Sequence, residues 1–146
     1  MKLVSFLLPL LFFITPLQAG SEHSQEIGNY IVHYNALPTE VLQPDIARQY
    51  GITRSKFRGF ITVSVLKKTD DPNGKPVKAK ISASASNLSE QSKALKLRTV
   101  EEGSAIYYVD DFRITNLETL DFKLKIKPED SQESFSVSFR QKFYTD

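Results

Sequence analysis

The chain has 146 residues, with 19 Lys and Arg against 17 Asp and Glu and no cysteine. That length suits one domain with a real core, and the lack of cysteine excludes disulfide staples and a lipid-modified cysteine anchor. The near balance of charge excludes the strong basic field that recruits nucleic acid.

Lys2, the apolar run from Leu3 to Ile14 and the break at Thr15, Pro16, Leu17, Gln18 and Ala19 read as an export signal over residues 1–19, cut after Ala19. The run is shorter than the ~20 residues that span a bilayer, and no later stretch is apolar enough. The expected mature protein is therefore one domain, residues 20–146, without a transmembrane segment. Losing Lys2 lowers its net charge from +2 to +1.

Beyond the signal, short β-branched and aromatic runs separated by Gly, Pro, Asn and Asp predict about seven strands in a sandwich or barrel. The first runs from about Ile27 to Leu37, with Tyr30, Val32 and Tyr34 on one face and Ile31, His33 and Asn35 on the other. One short helix follows in the long connection, opened by Pro44, carrying Ile46, Ala47 and Tyr50, and closed by a left-handed Gly51. Phe57 to Lys67 reads as a central strand, because Ile61, Val63 and Val65 share one face while Phe60 and Leu66 make the other partly apolar.

Asn73-Gly74 signals a hairpin into Val77 to Asn87, where Val77, Ala79, Ile81, Ala83 and Ala85 alternate with Lys78, Lys80 and serines. Leu95 to Glu101 and Ala105 to Ile114 are expected to pair about Gly103-Ser104, setting Val100 opposite Tyr107 and Lys96 opposite Asp111. In the last two strands Leu120, Phe122, Leu124 and Ile126 alternate with acids and lysines, and Phe135, Val137, Phe139 and Phe143 with serines and cations. Two facing antiparallel sheets would bury those apolar faces.

The segments 29–36 (NYIVHYNA), 50–55 (YGITRS) and 103–108 (GSAIYY), with the closing aromatic strand to Phe143-Tyr144, resemble a family of short exported proteins of Gram-negative bacteria known only as a domain of unknown function. The resemblance spans nearly the whole mature chain. It implies a periplasmic, immunoglobulin-like all-β sandwich and brings no activity, ligand or catalytic residue with it.

Catalytic and metal chemistry find little support in the residues. His23 and His33 are the only histidines, too few for a zinc site without cysteine, and no Gly-x-Ser-x-Gly nucleophile elbow is present. Glu101-Glu102 and Asp110-Asp111 are neighbours on strands, so the members of each pair point to opposite faces. No metal, cofactor or enzymatic activity is expected.

Two features could bind a partner. Lys78, Lys80, Lys123, Lys125 and Lys127, with Arg140 and Lys142, would form a basic face if their strands share a sheet; it would suit an anionic envelope polymer, or else serve solubility and edge protection. In the long connection, Arg54 beside Tyr50 offers a planar donor fork next to a flat ring, with His33 on the preceding strand; the bland alternative is a cover over the open end of the sheet. The expected function is a non-enzymatic binding or interaction module, its partner another envelope protein or envelope component. A small hydrolase using His33 is the weaker alternative.

Overall fold

The computed structural model describes residues 23–146, so the export signal expected over residues 1–19 lies outside the described residues. In chain order the elements are β1 (Ser24–Ile27), β2 (Tyr30–Pro38), a 3-10 turn (Thr39–Val41), α1 (Pro44–Tyr50), β3 (Arg58–Lys67), β4 (Lys75–Pro76) and β5 (Ala79–Asn87). Then come β6 (Ser92–Leu95), β7 (Arg98–Glu102), β8 (Ala105–Arg113), β9 (Thr119–Pro128) and β10 (Phe135–Lys142). They form an antiparallel β-sandwich: a six-stranded sheet in the order β1-β2-β3-β8-β7, with β4 beside β3, faces a four-stranded sheet in the order β10-β9-β5-β6.

Strand alternation decides what lies between the sheets. Val32, Ile61, Val63 and Val65 face Phe122, Leu124, Ile126 and Val137 in a closed core. Aromatic rings link the layers: Phe139 of β10 stacks on Tyr34 of the opposite sheet at 4.4 Å and on Phe122 beside it at 4.8 Å. Phe112 continues the chain of rings to Phe122 at 5.5 Å and to Phe143 at 5.8 Å.

The strand count among the described residues is ten where about seven were expected: β1 precedes the first expected strand, β4 precedes the third, and the stretch expected as Leu95 to Glu101 divides between β6 and β7. Leu95 to Glu101 is not one strand: β6 pairs with β5, the chain crosses over at Lys96 and Leu97, and β7 pairs with β8. The Asn73-Gly74 turn is present, with Gly74 at φ +70, but its hairpin closes only two rungs before the chain leaves for the other sheet as β5. The Gly103-Ser104 hairpin forms in the expected register, Val100 opposite Tyr107. Lys96 does not face Asp111; the crossover takes it out of the ladder, and its backbone N–H donates to the Asp110 carboxylate at 2.9 Å.

The helix ends as expected on Gly51 at φ +67, whose N–H donates to the carbonyls of Ala47 and Arg48. It does not plug the sandwich core with Ile46 and Tyr50, which stay half-buried. Ala47 and Ile52 are buried instead, as are Phe60 and Val109, which point away from the core. Those residues make a second apolar patch on the outer side of the six-stranded sheet. Arg98 donates to the Tyr50 carbonyl at 2.9 Å and Gln49 to Glu102 at 2.6 Å, fastening the helix to β7.

Candidate functional site

The outer face of the four-stranded sheet carries a ladder of lysines. On β9, Lys123, Lys125 and Lys127 point to solvent because Phe122, Leu124 and Ile126 fill the core. Antiparallel register then sets their neighbours. Lys123 lies between Ser84 of β5 and Ser138 of β10, and Lys125 lies between Ser82 and Ser136. Lys127 lies opposite Lys80.

Two residues of strand rise about 6.8 Å, so the three ammonium groups stand in a row roughly 14 Å long. The flanking serines are short, which leaves two adjoining depressions of about 280 and 300 Å³ that share Lys123 and Ser138. The nearest acid on this face, Asp121, is held by Arg140, whose Nε and Nη2 donate to its two oxygens at 2.6 and 3.1 Å. That hydrogen-bonded ion pair keeps the Asp121 carboxyl below the usual carboxylate range. Among the described residues, Lys80, Lys123, Lys125 and Lys127 have no ion-pair partner.

Edge protection does not explain Lys123 and Lys125, which β5 and β10 flank on both sides, but Lys127 and Lys80 lie past the last rungs of β10 and β6, where both strands are open. Lys78 is not part of it. It precedes β5 and pairs with Glu101 of the other sheet at 3.5 Å. Arg140 is occupied by Asp121, and the Lys142 ammonium sits 5.7 Å from the centre of the Tyr144 ring.

The long connection is arranged differently from the basic face. Arg54 Nη2 donates to the carbonyl of Glu40 at 3.1 Å, tying the segment after α1 back to the 3-10 turn. Thr39, fully buried, adds a second tie by donating to the Ser55 carbonyl at 2.9 Å and accepting from the Ser55 N–H at 2.8 Å. The guanidinium that meets Tyr50 is that of Arg98, at the Tyr50 carbonyl. Burial, then the Glu102 carboxylate and the Tyr107 phenol, push the Tyr50 hydroxyl above its ordinary range.

Arg98 also reaches both members of an acidic pair, 3.8 Å from Asp110 and 3.7 Å from Asp111, while Arg58 holds Asp111 at 2.6 Å. The other pair divides as alternation requires, Glu101 toward Lys78 and Glu102 toward Gln49. His33 is exposed on the outer face of β2, opposite Ser64.

Fold and surface together describe a cysteine-free antiparallel sandwich with one helix-covered sheet and one open, cationic sheet. Residues 24–146 match the family described as a domain of unknown function, DUF4426, and the chain belongs to that family. It is similar to the crystal structure of a DUF4426 family protein from Pseudomonas aeruginosa PAO1, at 35% identity over 84% of this chain and 94% of that one, with a TM-score of 0.73.

A more distant likeness, 10% identical with a TM-score of 0.60, is to FetP of uropathogenic Escherichia coli strain F11, recombinantly expressed in the periplasm; it covers 83% of this chain and 92% of that one. A copper-bound variant of FetP is also 10% identical, with a TM-score of 0.59, and covers 82% of this chain and 93% of that one. At that identity the likeness is one of fold. No curated protein matches the sequence.

Proposed function

We propose that this protein is a non-enzymatic periplasmic binding module that holds an anionic envelope polymer on the lysine and serine face of its four-stranded sheet. The observation that carries the reading is the row of Lys123, Lys125 and Lys127 on β9, none with an ion-pair partner among the described residues, with Lys80 directly opposite Lys127. Like charges directly opposite across a ladder cost stability. A face that keeps such a pair beside the flanked Lys123 and Lys125 suits a partner that brings the opposite charge.

The geometry favours a polymer over a single anion, because three cations at a spacing of about 6.8 Å present a row and not a convergent clamp. The serine hydroxyls beside Lys123 and Lys125 can donate to the same phosphate or carboxylate oxygens. The export signal expected over residues 1–19 fits a periplasmic setting, and FetP, which shares the fold, was recombinantly expressed in the periplasm. FetP's copper is not carried over: among the described residues no three His, Cys, Asp or Glu side chains come together.

Titration of the mature protein with polyphosphate, followed by amide NMR shifts, tests the reading against neutral dextran. Saturable shifts on β5, β9 and β10 with polyphosphate alone are expected. Equal response to dextran, or shifts elsewhere, would overturn it.

A further inference from the structure

Among the described residues the exposed large hydrophobic side chains are Val41, Phe57, Leu88, Leu117 and Tyr144, each more than half exposed. All five stand at one end of the sandwich. Val41 follows β2, Phe57 precedes β3, Leu88 follows β5, Leu117 lies between β8 and β9, and Tyr144 follows β10. Register makes these the same end, because Pro38 pairs with Gly59, Arg58 with Arg113, Asn87 with Leu120 and Thr119 with Lys142. The short β8–β9 connection joins the two sheets there. The turns of the opposite end, about Gly28, Asn73, Gly103 and Asp130, hold none. Apolar side chains scattered singly over a surface are ordinary, but their confinement to one end is not.

Three of the five are tied together through that connection. The Ile114 N–H donates to the Phe57 carbonyl at 2.9 Å, one rung past Arg58 and Arg113. The Phe143 N–H donates to the Glu118 carbonyl at 2.8 Å, which carries the β9–β10 pairing one rung further and brings Tyr144 level with Leu117. Leu117 is held at φ +63, a left-handed conformation that residues other than glycine seldom take. Cations stand beside the rings: Lys56 Nζ is 5.1 Å from the centre of the Phe57 ring, and Lys142 Nζ is 5.7 Å from that of Tyr144. The carboxylates nearest Leu117 and Tyr144 are engaged locally. Glu118 accepts from the Thr115 N–H and hydroxyl at 2.9 and 3.2 Å, and Asp146 accepts from the Asn116 amide at 2.9 Å. Glu40, Asp45 and Glu90 accompany Val41 and Leu88 in the chain, which leaves Phe57, Leu117 and Tyr144 as the cationic part of this end.

We propose that this end of the sandwich docks on an anionic lipid surface, with Phe57, Leu117 and Tyr144 entering the headgroup layer and the ammonium groups of Lys56 and Lys142 meeting lipid phosphates. The chemistry fits the boundary of a bilayer, where aromatic rings settle at headgroup level and lysine keeps its charge in water while its stem lies along apolar groups. Side chains that project singly from separate loops enter a fluid surface more readily than they mate with a rigid protein. The lysine row lies on an outer sheet face and not at this end, so polyphosphate binding can fail without lipid docking failing. Exposed side chains do little for the fold. Leu117→Gly should therefore leave the unfolding midpoint unchanged or raise it, since glycine adopts φ +63 without strain.

The chain has no tryptophan, so a single one reports its own surroundings. Phe57→Trp and Tyr144→Trp of the mature protein, and Ser136→Trp on the lysine face as control, are titrated with vesicles of phosphatidylethanolamine and phosphatidylglycerol. Expected in the first two are a saturable blue shift of emission and quenching by lipid brominated in its acyl chains, with neither in Ser136→Trp. Leu117→Gly, placed in the Phe57→Trp background, should weaken partition about tenfold, the effect of one leucine no longer leaving water. No vesicle-dependent change in Phe57→Trp and Tyr144→Trp overturns the proposal, and so does an equal change in Ser136→Trp, which would move the contact to the lysine face. Partition unchanged by Leu117→Gly also overturns it. A lowered unfolding midpoint in Leu117→Gly does the same, because it would make Leu117 a structural residue.

Discussion

Lys80 and Lys127 stand directly opposite each other on β5 and β9, past the last rungs of β6 and β10, and neither has an ion-pair partner among the described residues. The pair separates stability from binding. Replacing one member with a carboxylate turns a repulsive cross-strand pair into an attractive one, worth about 0.2–1 kcal/mol. Lys127→Glu should therefore raise the urea midpoint slightly while weakening polyphosphate binding. A variant that loses stability, or that binds as well as the parent, would argue against a face selected for an anionic partner.

The ring stack predicts a large contrast between neighbours on β10. Phe139 lies against Tyr34 and Phe122, whereas the Ser138 side chain points to solvent and only its carbonyl is engaged, by Gln25 at 3.2 Å. Phe139 is half-buried, so Phe139→Ala should cost about 2–4 kcal/mol, below the upper end for fully enclosed rings. Ser138→Ala should change stability by less than about 0.5 kcal/mol. Denaturation midpoints of the two variants measure the difference.

The turn between β9 and β10 is clamped to the other sheet through Asp130, which accepts from the Tyr30 hydroxyl at 2.6 Å and from Lys67 at 2.7 Å. Hydrogen bonds from Lys67 and Tyr30 hold the Asp130 carboxyl below the usual range. A depressed carboxylate contributes stability above its unfolded value and loses it as pH falls through the folded value, so this part should fade below about pH 4. Tyr30 is raised, chiefly by its hydrogen bond to Asp130, and Lys67 is raised by the same partner. Their contributions are present below about pH 10 and fade as pH climbs past it. In Asp130→Asn the stability profile should flatten at both ends; if only the acid limb changed, Tyr30 and Lys67 would not be coupled to Asp130.

Local features were legible in the sequence, and non-local neighbours were not. Alternation placed Phe122, Leu124 and Ile126 inward and Lys123, Lys125 and Lys127 outward, and Pro44 with Gly51 bounded the helix. Gly103-Ser104 placed Val100 opposite Tyr107 because a two-residue turn dictates register. Alternation does not say which strands adjoin. The crossover at Lys96 and Leu97 leaves no mark in the apolar pattern, since a strand entering either sheet needs the same period. For that reason the position of β9 inside its sheet, which gives the lysine row its meaning, and the departure of Lys78 toward Glu101 emerged only in three dimensions.

The salt dependence of polyphosphate binding tests the lysine ladder most directly. Each cation that neutralises a backbone phosphate releases bound counterions, so log affinity falls linearly with log salt, with a slope that counts the contacts. Replacing Lys123, Lys125 and Lys127 together with Gln should make that slope shallower by roughly one per lysine and weaken binding at low salt, with the unfolding midpoint held or raised. A triple variant with the parent's slope and affinity would contradict the assignment of the anionic partner to this face.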